Sequence, residues 1–339
     1  MKKIAHFCVL GTSNIGDNLI IKEIYKDFAE LDKKIEINQY PISLLSSGSI
    51  LQFLKAVIGA DAIIIGGGGI ISRFFWPFRT IHLKITQVLN KPTYLLAAGI
   101  GLQIGETIDS LPKENIKRWL QNMNAVSVRD IASLESLEKI GVENLELTGD
   151  AALSIPDFPY VPQERPKVIG LNIANHGWET EEKILDLVVN PMVDKLKELE
   201  KFGYRFSYLA HHKGENVIYE KLRQHLNIQY NEVTLENYSQ LYSSLYCHVG
   251  MMLHSTIFSL KSNTPFLNIV YDEKNNAFLK LLSLESNAIK IEDIENTDFV
   301  KHLETTVGKW HENQYHLKKE IEKFVSRRLN FISKIADEI

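Results

Sequence analysis

Short runs of β-branched and aliphatic residues alternate with longer segments of helical period along most of this chain. Such alternation is typical of βαβ units that share a parallel sheet. The first half is therefore predicted to be one doubly wound sheet with covering helices. Its predicted elements, in chain order, are Ile4–Leu10, Asp17–Phe28, Ile35–Tyr40, Ile50–Val57, Ala62–Ile65, Thr80–Leu89, Thr93–Ala97, Asn115–Met123 and Ala125–Val128.

A proline-rich segment interrupts this alternation. Pro156, Pro159, Pro162 and Pro166 lie so close together that the segment can be neither a helix interior nor a central strand. We therefore predict a linker over residues 156–166. The alternation then restarts, with predicted elements over Val168–Ile173, Lys183–Phe202, Phe206–Leu209, Glu236–Tyr246, Cys247–Val249 and Phe266–Val270.

The predicted fold is thus α/β, with two Rossmann-like domains over residues 1–155 and 167–310 that face a cleft. A length of 339 residues suits two domains. Apolar residues also recur at helical spacing near the end of the chain, from Leu317 to Ile332. This spacing predicts a closing amphipathic helix over residues 311–339 that packs on the body.

Charge and cysteine content narrow the class of protein. The net charge of -4 is unlike the basic excess of a nucleic-acid-binding domain, so no nucleic-acid partner is expected. Cys8 and Cys247 lie far apart in apolar runs, which favours a reducing, cytoplasmic compartment. The first apolar run contains His6 and lacks the cleavage site of a signal peptide, and no stretch approaches the roughly 20 apolar residues of a membrane span.

Turns that follow predicted strands are the places to look for ligands, because open parallel sheets bind at their carboxyl edge. The first such turn is Gly11–Asn18, in which Asp17 is either a helix cap or a carboxylate that faces the cleft. The second is Gly66–Gly69, four glycines that predict close approach of a ligand or of another backbone. Gly99 and Gly101 form a weaker third turn.

Arg129 ends a predicted strand, and Asp130 begins the helix that follows. A guanidinium at this edge can hold a carboxylate or phosphate with two parallel hydrogen bonds. The alternative is an internal ion pair with Asp130 or Asp150. The sequence favours the ligand role only slightly.

His254 follows a strand and begins a helix, whose positive end favours a neutral imidazole that is able to transfer protons. His176, His211 and His212 follow earlier strands of the same domain. None of these histidines has the spacing of a metal site, so no metal is predicted. A lone histidine is more often structural than catalytic, and the position of His254 is what favours catalysis.

Several segments in order resemble the polysaccharide pyruvyl transferase family. They are NIGDNLI near the start, IIIGGGGII, SVRDIASLESLEKIG with TGDAALSI, and LHSTIFSL with TPFLNIVYDEK. The resemblance implies a GT-B-like fold and transfer of pyruvate, as a ketal, from phosphoenolpyruvate to a sugar of a cell-surface glycan or its lipid-linked precursor. It also implies that Arg129 and His254 match basic residues that face the donor, and that Asp17 matches an acidic residue of the first loop.

One position departs from the family pattern G-x-R-L-H. This chain has Met252 where the family has arginine. Methionine cannot bind an anion, so Lys274, Lys213 or Arg73 would have to compensate, or the donor differs.

The predicted site follows from these positions, with phosphoenolpyruvate as co-substrate and no cofactor. His254 is the proposed general acid or base, Arg129 holds phosphate or carboxylate, and Asp17 orients or deprotonates the acceptor hydroxyl. The donor is predicted to contact Gly16, Gly67, Gly68, Arg129, Ser255 and Lys274. The acceptor is predicted to contact Asp17, Asn18, Arg73, Trp76, His176, His211 and His212.

An aromatic segment bounded by arginines, Arg73–Arg79, has three readings: a sugar platform, a peripheral contact at the inner face of a membrane, or part of the core. Three alternatives to pyruvyl transfer also stay open. They are a GT-B glycosyltransferase that uses a nucleotide sugar, a non-catalytic glycan-binding relative and, least favoured because neither half has the glycine fingerprint, a dinucleotide oxidoreductase.

Overall fold

A computed structural model describes residues 1–31, 33–73, 78–102, 106–155, 165–174 and 181–339. The chain folds into two compact units, each built on a parallel sheet of six strands. Unit 1 comprises Met1–Thr12, Asp17–Leu153 and Glu322–Ile339, and unit 2 comprises Ser13–Gly16 and Ser154–Ile321. The predicted α/β class with two Rossmann-like sheets is confirmed. The predicted linker lies mostly outside the described residues.

Unit 1 has the strand order β2-β1-β3-β4-β5-β6. Each strand pairs in parallel with its neighbours, so the central strands are buried on both faces and read as continuous apolar runs. The strands are β1 (Lys2–Cys8), β2 (Ile35–Pro41), β3 (Ala62–Ile71), β4 (Thr93–Ile100), β5 (Ala125–Val128) and β6 (Leu145–Leu147). The helices are α1 (Ile15–Ala29), α2 (Ile50–Ile58), α3 (Thr80–Val88), α4 (Lys113–Leu120) and α5 (Ile131–Lys139).

The strand order assigns these helices to the two faces of the sheet. Parallel crossovers are right-handed, so α1, which leads back from β1 to β2, covers one face. Helices α2 to α5 lead in the other direction and cover the opposite face. Phe53, Leu83 and Trp119 of α2, α3 and α4 accordingly belong to one buried cluster.

The glycine run corrects the prediction that it forms a turn after β3. Strand β3 continues through the glycines to Ile71, and Gly66 and Gly68 pair with Leu96 and Ala98 of β4. Gly66, Gly67 and Gly68 all have positive φ, and the register shifts beyond Gly68. Residues with side chains rarely adopt this conformation, which is why an irregular strand end needs glycine here.

Unit 2 has the strand order β12-β11-β10-β7-β8-β9. Its strands are β7 (Val168–Asn172), β8 (Arg205–Ala210), β9 (Ile228–Glu232), β10 (Cys247–Gly250), β11 (Phe266–Val270) and β12 (Ala288–Lys290). Its helices are α6 (Glu181–Ile184), α7 (Asn190–Lys201), α8 (Asn216–Leu222), α9 (Tyr238–Ser243), α10 (Leu253–Lys261) and α11 (Glu273–Leu281). The closing helix, α12, spans Phe299–Glu338.

Two predicted helices differ from the structure. The helix predicted over residues 183–202 is divided by a π-helical segment, Leu185–Val189, just before Pro191. Proline has no N–H for the regular ladder, so the wider turn precedes it. The closing helix begins at Phe299 instead of residue 311. No described helix combines the length and apolarity needed to cross a membrane.

Candidate active site

A charged cluster lies at the carboxyl edge of the unit 1 sheet. Arg129, which follows β5, is 4% exposed. Its Nε donates to Asp130 Oδ2 at 3.1 Å and its Nη1 to Asp150 Oδ2 at 3.4 Å. The ion pair that the sequence left open as an alternative is therefore formed, with both carboxylates.

Backbone amides hold the two carboxylates in place. Asp130 caps α5 by accepting from the Ser133 amide at 2.7 Å, and Asp150 accepts from the Ala152 amide at 2.9 Å. The Arg129 guanidinium is thus fixed by two anchored carboxylates instead of lying along the surface.

Gly99 in β4 leaves the space that the Arg129 side chain fills, because a Cβ there would lie 2.2 Å from Arg129 Nε. Gly69 in β3 also faces the guanidinium, and a Cβ there would lie in ordinary contact with Nη2, at 3.7 Å. Gly67 has a different reason to be glycine, because its Cβ would lie 2.3 Å from Ile20 Cγ2 of α1. Packing of α1 on the sheet therefore accounts for Gly67, whose predicted donor contact stays a prediction.

Asp17 lies in the first turn of α1, within unit 1. A Cβ at Gly68 would lie 3.9 Å from its Oδ1. Burial raises the pKa of Asp17 to about 6, against the lowering effect of Arg129; Asp150 raises this pKa further and a hydrogen bond with Thr12 lowers it. A carboxyl that titrates close to neutral pH can both accept and return a proton.

His254 is the centre of a second polar cluster, in unit 2. It lies in the first turn of α10 and is 9% exposed. Gly16 packs directly on its imidazole, since a Cβ at Gly16 would lie 1.9 Å from His254 Nδ1. The Gly16 amide donates to Asn14 Oδ1 at 2.9 Å, and the Ile15 amide donates to the His211 carbonyl at 3.3 Å. The Ser13–Gly16 segment, which includes the start of α1, is thereby held against the imidazole.

Gly16→Ala is expected to lower turnover without unfolding the protein. The added methyl group overlaps the imidazole, so His254 must leave its rotamer while Gly16 itself lies at the start of a helix that tolerates alanine. The matched control is Gly308→Ala, because a Cβ at Gly308 meets nothing within 4 Å. Thermal unfolding and turnover would be measured for both variants. Wild-type turnover in Gly16→Ala would show that the position of the imidazole is unimportant.

A buried network lies beside His254 in the same unit. His211 Nε2 is 2.8 Å from the Tyr242 hydroxyl. The His211 amide donates to Glu215 Oε2 at 3.0 Å, and Asn172 Nδ2 donates to the same oxygen at 2.9 Å. Glu215 is 0% exposed, and burial raises its pKa to about 8 against these two hydrogen bonds.

Glu215→Gln is expected to flatten part of the pH dependence of stability. The pKa of Glu215 rises from about 4.5 in the unfolded chain to about 8 in the fold. Between these pH values the folded protein therefore keeps the Glu215 carboxyl protonated, whereas the unfolded chain has lost that proton. The wild-type free energy of unfolding should therefore fall between pH 4.5 and pH 8, by up to about 1.4 kcal/mol per pH unit. Glutamine keeps the accepting oxygen and removes the proton.

Urea unfolding of both proteins across this pH range isolates Glu215, because all other titrating groups are shared. The difference between the two free energies should grow in favour of the glutamine variant as the pH rises. Parallel curves would mean that Glu215 keeps an ordinary pKa.

Comparison with known proteins places this chain in a family. The family model for polysaccharide pyruvyl transferase matches residues 14–273, which include both polar clusters. The chain belongs to the polysaccharide pyruvyl transferase family. Its sequence is 18% identical over 300 residues to the amylovoran biosynthesis protein AmsJ of Erwinia amylovora, which covers 80% of this chain and 71% of AmsJ.

Solved structures show the fold of this pyruvyl transferase family member. A putative UDP-N-acetylglucosamine 2-epimerase from Listeria monocytogenes matches with a TM-score of 0.60 and 10% identity, over 99% of this chain and 96% of that one. A mutant O-GlcNAc transferase from Thermobaculum terrenum matches with a TM-score of 0.56 and 11% identity, over 99% of this chain and 66% of that one. These likenesses confirm the GT-B-like fold.

The remaining residues predicted for a pyruvyl transferase site have local partners. The Ser255 hydroxyl donates to the Met252 carbonyl at 2.7 Å, and Lys274 Nζ lies 2.8 Å from Asp272. His212 Nδ1 accepts from the Gly214 amide at 2.9 Å, and Arg73 Nε lies 3.1 Å from Glu106. Each of these contacts gives its side chain a structural role, and their predicted ligand contacts stay predictions.

Other positions are accounted for by their surroundings. Met252 is 5% exposed in the apolar core of unit 2, which is where a methionine fits and a free arginine would not. His211 is 2% exposed between Tyr242 and Phe258, and its predicted acceptor contact stays a prediction. Asn18 is exposed on α1. Trp76 and His176 lie outside the described residues.

The structure thus groups Asp17, Gly68 and Arg129 in unit 1, and Gly16, His211 and His254 in unit 2. It also adds Glu215, which sequence reasoning missed although it follows a strand in the run His211-His212-Lys213-Gly214-Glu215. Among the described residues no group of three or more His, Cys, Asp and Glu side chains is arranged to hold a metal ion.

Proposed function

We propose that this polysaccharide-modifying transferase moves pyruvate from phosphoenolpyruvate onto two hydroxyls of one sugar, as a ketal, with release of phosphate. The acceptor is a cell-surface glycan or its lipid-linked precursor. Family membership over residues 14–273 is the observation that carries the proposal. The two polar clusters supply groups suited to each step.

Arg129 is the proposed ligand of the donor's phosphate or carboxylate. Its guanidinium is held by Asp130 and Asp150, with Gly69 and Gly99 around it instead of side chains. Phosphate and carboxylate groups accept charge-assisted bidentate hydrogen bonds from arginine, which are the strongest that a guanidinium makes. Gly68, the predicted donor contact beside Asp17, lies in strand β3, where its lack of a side chain leaves room for a ligand.

His254 is the proposed general acid, and Asp17 the proposed base. Proton transfer from His254 to the methylene carbon of the donor gives a methyl group and places positive character on the carbon that bears phosphate. One sugar hydroxyl forms a C–O bond to that carbon and gives its proton to Asp17, whose pKa near 6 suits the role.

The second half of the reaction closes the ketal. A second hydroxyl of the same sugar forms another C–O bond to the carbon while the bond to phosphate breaks. The leaving phosphate keeps the electron pair of the broken C–O bond, and it accepts the proton that the second hydroxyl loses. The methyl group retains the proton added first. Asp17 then releases its proton to solvent and His254 takes one up, so the sum is phosphoenolpyruvate plus diol giving ketal plus phosphate.

A nucleotide-sugar glycosyltransferase is the second candidate, since the solved structures with this fold include an O-GlcNAc transferase. Met252 favours glycosyl transfer in one respect, because the arginine that the family pattern places there for the donor is missing. Thermal unfolding with phosphoenolpyruvate and with a set of nucleotide sugars separates the two candidates. Stabilisation by phosphoenolpyruvate supports pyruvyl transfer, and stabilisation by a nucleotide sugar alone would replace it with glycosyl transfer.

A further inference from the structure

Exposed apolar side chains are concentrated on two neighbouring helices of unit 1. Leu51 and Ile58 of α2 are 70% and 63% exposed, and Ile81 and Val88 of α3 are 44% and 84% exposed. With Ile50, these two short helices carry five of the eleven large hydrophobic side chains that are exposed in the part of the chain the structure describes. Single exposed apolar residues are ordinary, whereas several on two adjoining helices are a candidate contact surface.

The two helices lie side by side on one face of the sheet. Their inner sides meet where the rings of Phe53 and His82 pack with centroids 4.4 Å apart. Their outer sides carry the exposed residues at helical spacing. Leu51, Lys55 and Ile58 share one side of α2, and Ile81, Lys84 and Val88 share one side of α3. We call these six residues the α2–α3 patch.

The charged side chains of the α2–α3 patch are all positive. Lys55 and Lys84 are exposed, each between apolar neighbours, and neither helix contains an aspartate or glutamate. Two copies of the chain that paired through this patch would bring like charges together in a desolvated contact, which is unfavourable. An anionic lipid surface offers the opposite charge for the lysines and an apolar interior for the side chains between them.

We propose that the α2–α3 patch binds the surface of a membrane that contains anionic phospholipid. The leucine, isoleucine and valine side chains enter the boundary between headgroups and acyl chains, and the lysine stems extend so that their ammonium groups meet the phosphates. This inference goes beyond the proposed transfer reaction and does not depend on it, because binding can be measured without any donor or acceptor. The proposed binding surface does not include the aromatic residues 74–77.

Vesicle flotation tests the proposal with the full chain. The vesicles are phosphatidylcholine alone, or phosphatidylcholine with phosphatidylglycerol. We expect the wild type to float with the anionic vesicles, and added salt to weaken binding. Lys55→Gln with Lys84→Gln should lower the partition coefficient by about thirtyfold, and Leu51→Ser with Ile58→Ser and Val88→Ser should lower it by about tenfold or more.

The matched control is Leu187→Ser with Phe202→Ser, which removes two exposed apolar side chains of unit 2 and should leave flotation unchanged. Circular dichroism checks that every variant is folded. The proposal is overturned if the wild type does not float with anionic vesicles, or if the patch variants float like the control. It is also overturned if sedimentation shows that the serine variant dissociates a dimer, because the occupant would then be a second copy.

Discussion

His254→Asn is expected to lower phosphoenolpyruvate-dependent phosphate release by about a hundredfold or more, which is the usual contribution of a general acid. Asparagine keeps a polar side chain against Gly16 but cannot deliver a proton at neutral pH. Turnover and thermal unfolding would be measured together. His311→Asn, an exposed histidine of α12, is the matched control.

Measuring turnover and thermal unfolding together distinguishes a catalytic role of His254 from a structural one. Loss of turnover with an unchanged unfolding temperature assigns His254 to the chemistry. Near-wild-type turnover in His254→Asn would remove His254 from the mechanism and leave the buried His211–Tyr242 pair without a catalytic neighbour to support.

Arg129→Met is expected to abolish stabilisation by phosphoenolpyruvate and to cost about 3–5 kcal/mol of unfolding free energy. The large cost arises because Asp130 and Asp150 would stay buried without their cation. Thermal unfolding with and without phosphoenolpyruvate measures both effects. Arg118→Met, an exposed arginine of α4, should change neither.

A second variant separates donor binding from the loss of the buried cation. Gly99→Ala keeps Arg129 and both carboxylates but places a methyl group 2.2 Å from the present position of Nε, so the guanidinium must shift. We expect a weaker response to phosphoenolpyruvate with a smaller loss of stability. An undiminished response in both variants would show that Arg129 is a structural ion pair alone.

Much of the fold could be predicted because parallel strands buried on both faces appear in the sequence as continuous apolar runs. Strands Ala125–Val128 and Phe266–Val270 were predicted with the bounds that the structure has. Short edge strands lack such runs. Leu145–Leu147 is only half-buried and Ile228–Glu232 is mostly polar, so neither stands out in the sequence.

The glycine run shows a different limit of sequence reasoning. Four glycines suggested a turn, whereas the strand continues because its neighbour β4 also continues and pairs with it. The three positive φ angles there depend on how α1 and β4 pack, which one chain read in isolation does not reveal. Tertiary packing therefore decided between strand and turn.

Candidate site residues were predictable where chemistry and chain position agree. Asp17, Arg129 and His254 all follow strands, and each was found at a polar cluster. Glu215 was missed because nothing in the sequence indicates that a glutamate beside Lys213 is fully buried. Its hydrogen-bond partners are Asn172, the last residue of β7, and His211, which directly follows β8.

Transfer of pyruvate from phosphoenolpyruvate to a glycan, measured directly, tests the proposed function. The acceptor used in the assay is the surface polysaccharide of the organism that carries this chain, freed of ketals by mild acid and incubated with phosphoenolpyruvate labelled in its methylene carbon. We expect equal amounts of released phosphate and of acid-labile labelled pyruvate on the glycan, and about a hundredfold less of both with His254→Asn. Sugar transfer from a nucleotide sugar to the same glycan, with no label incorporated, would contradict pyruvyl transfer.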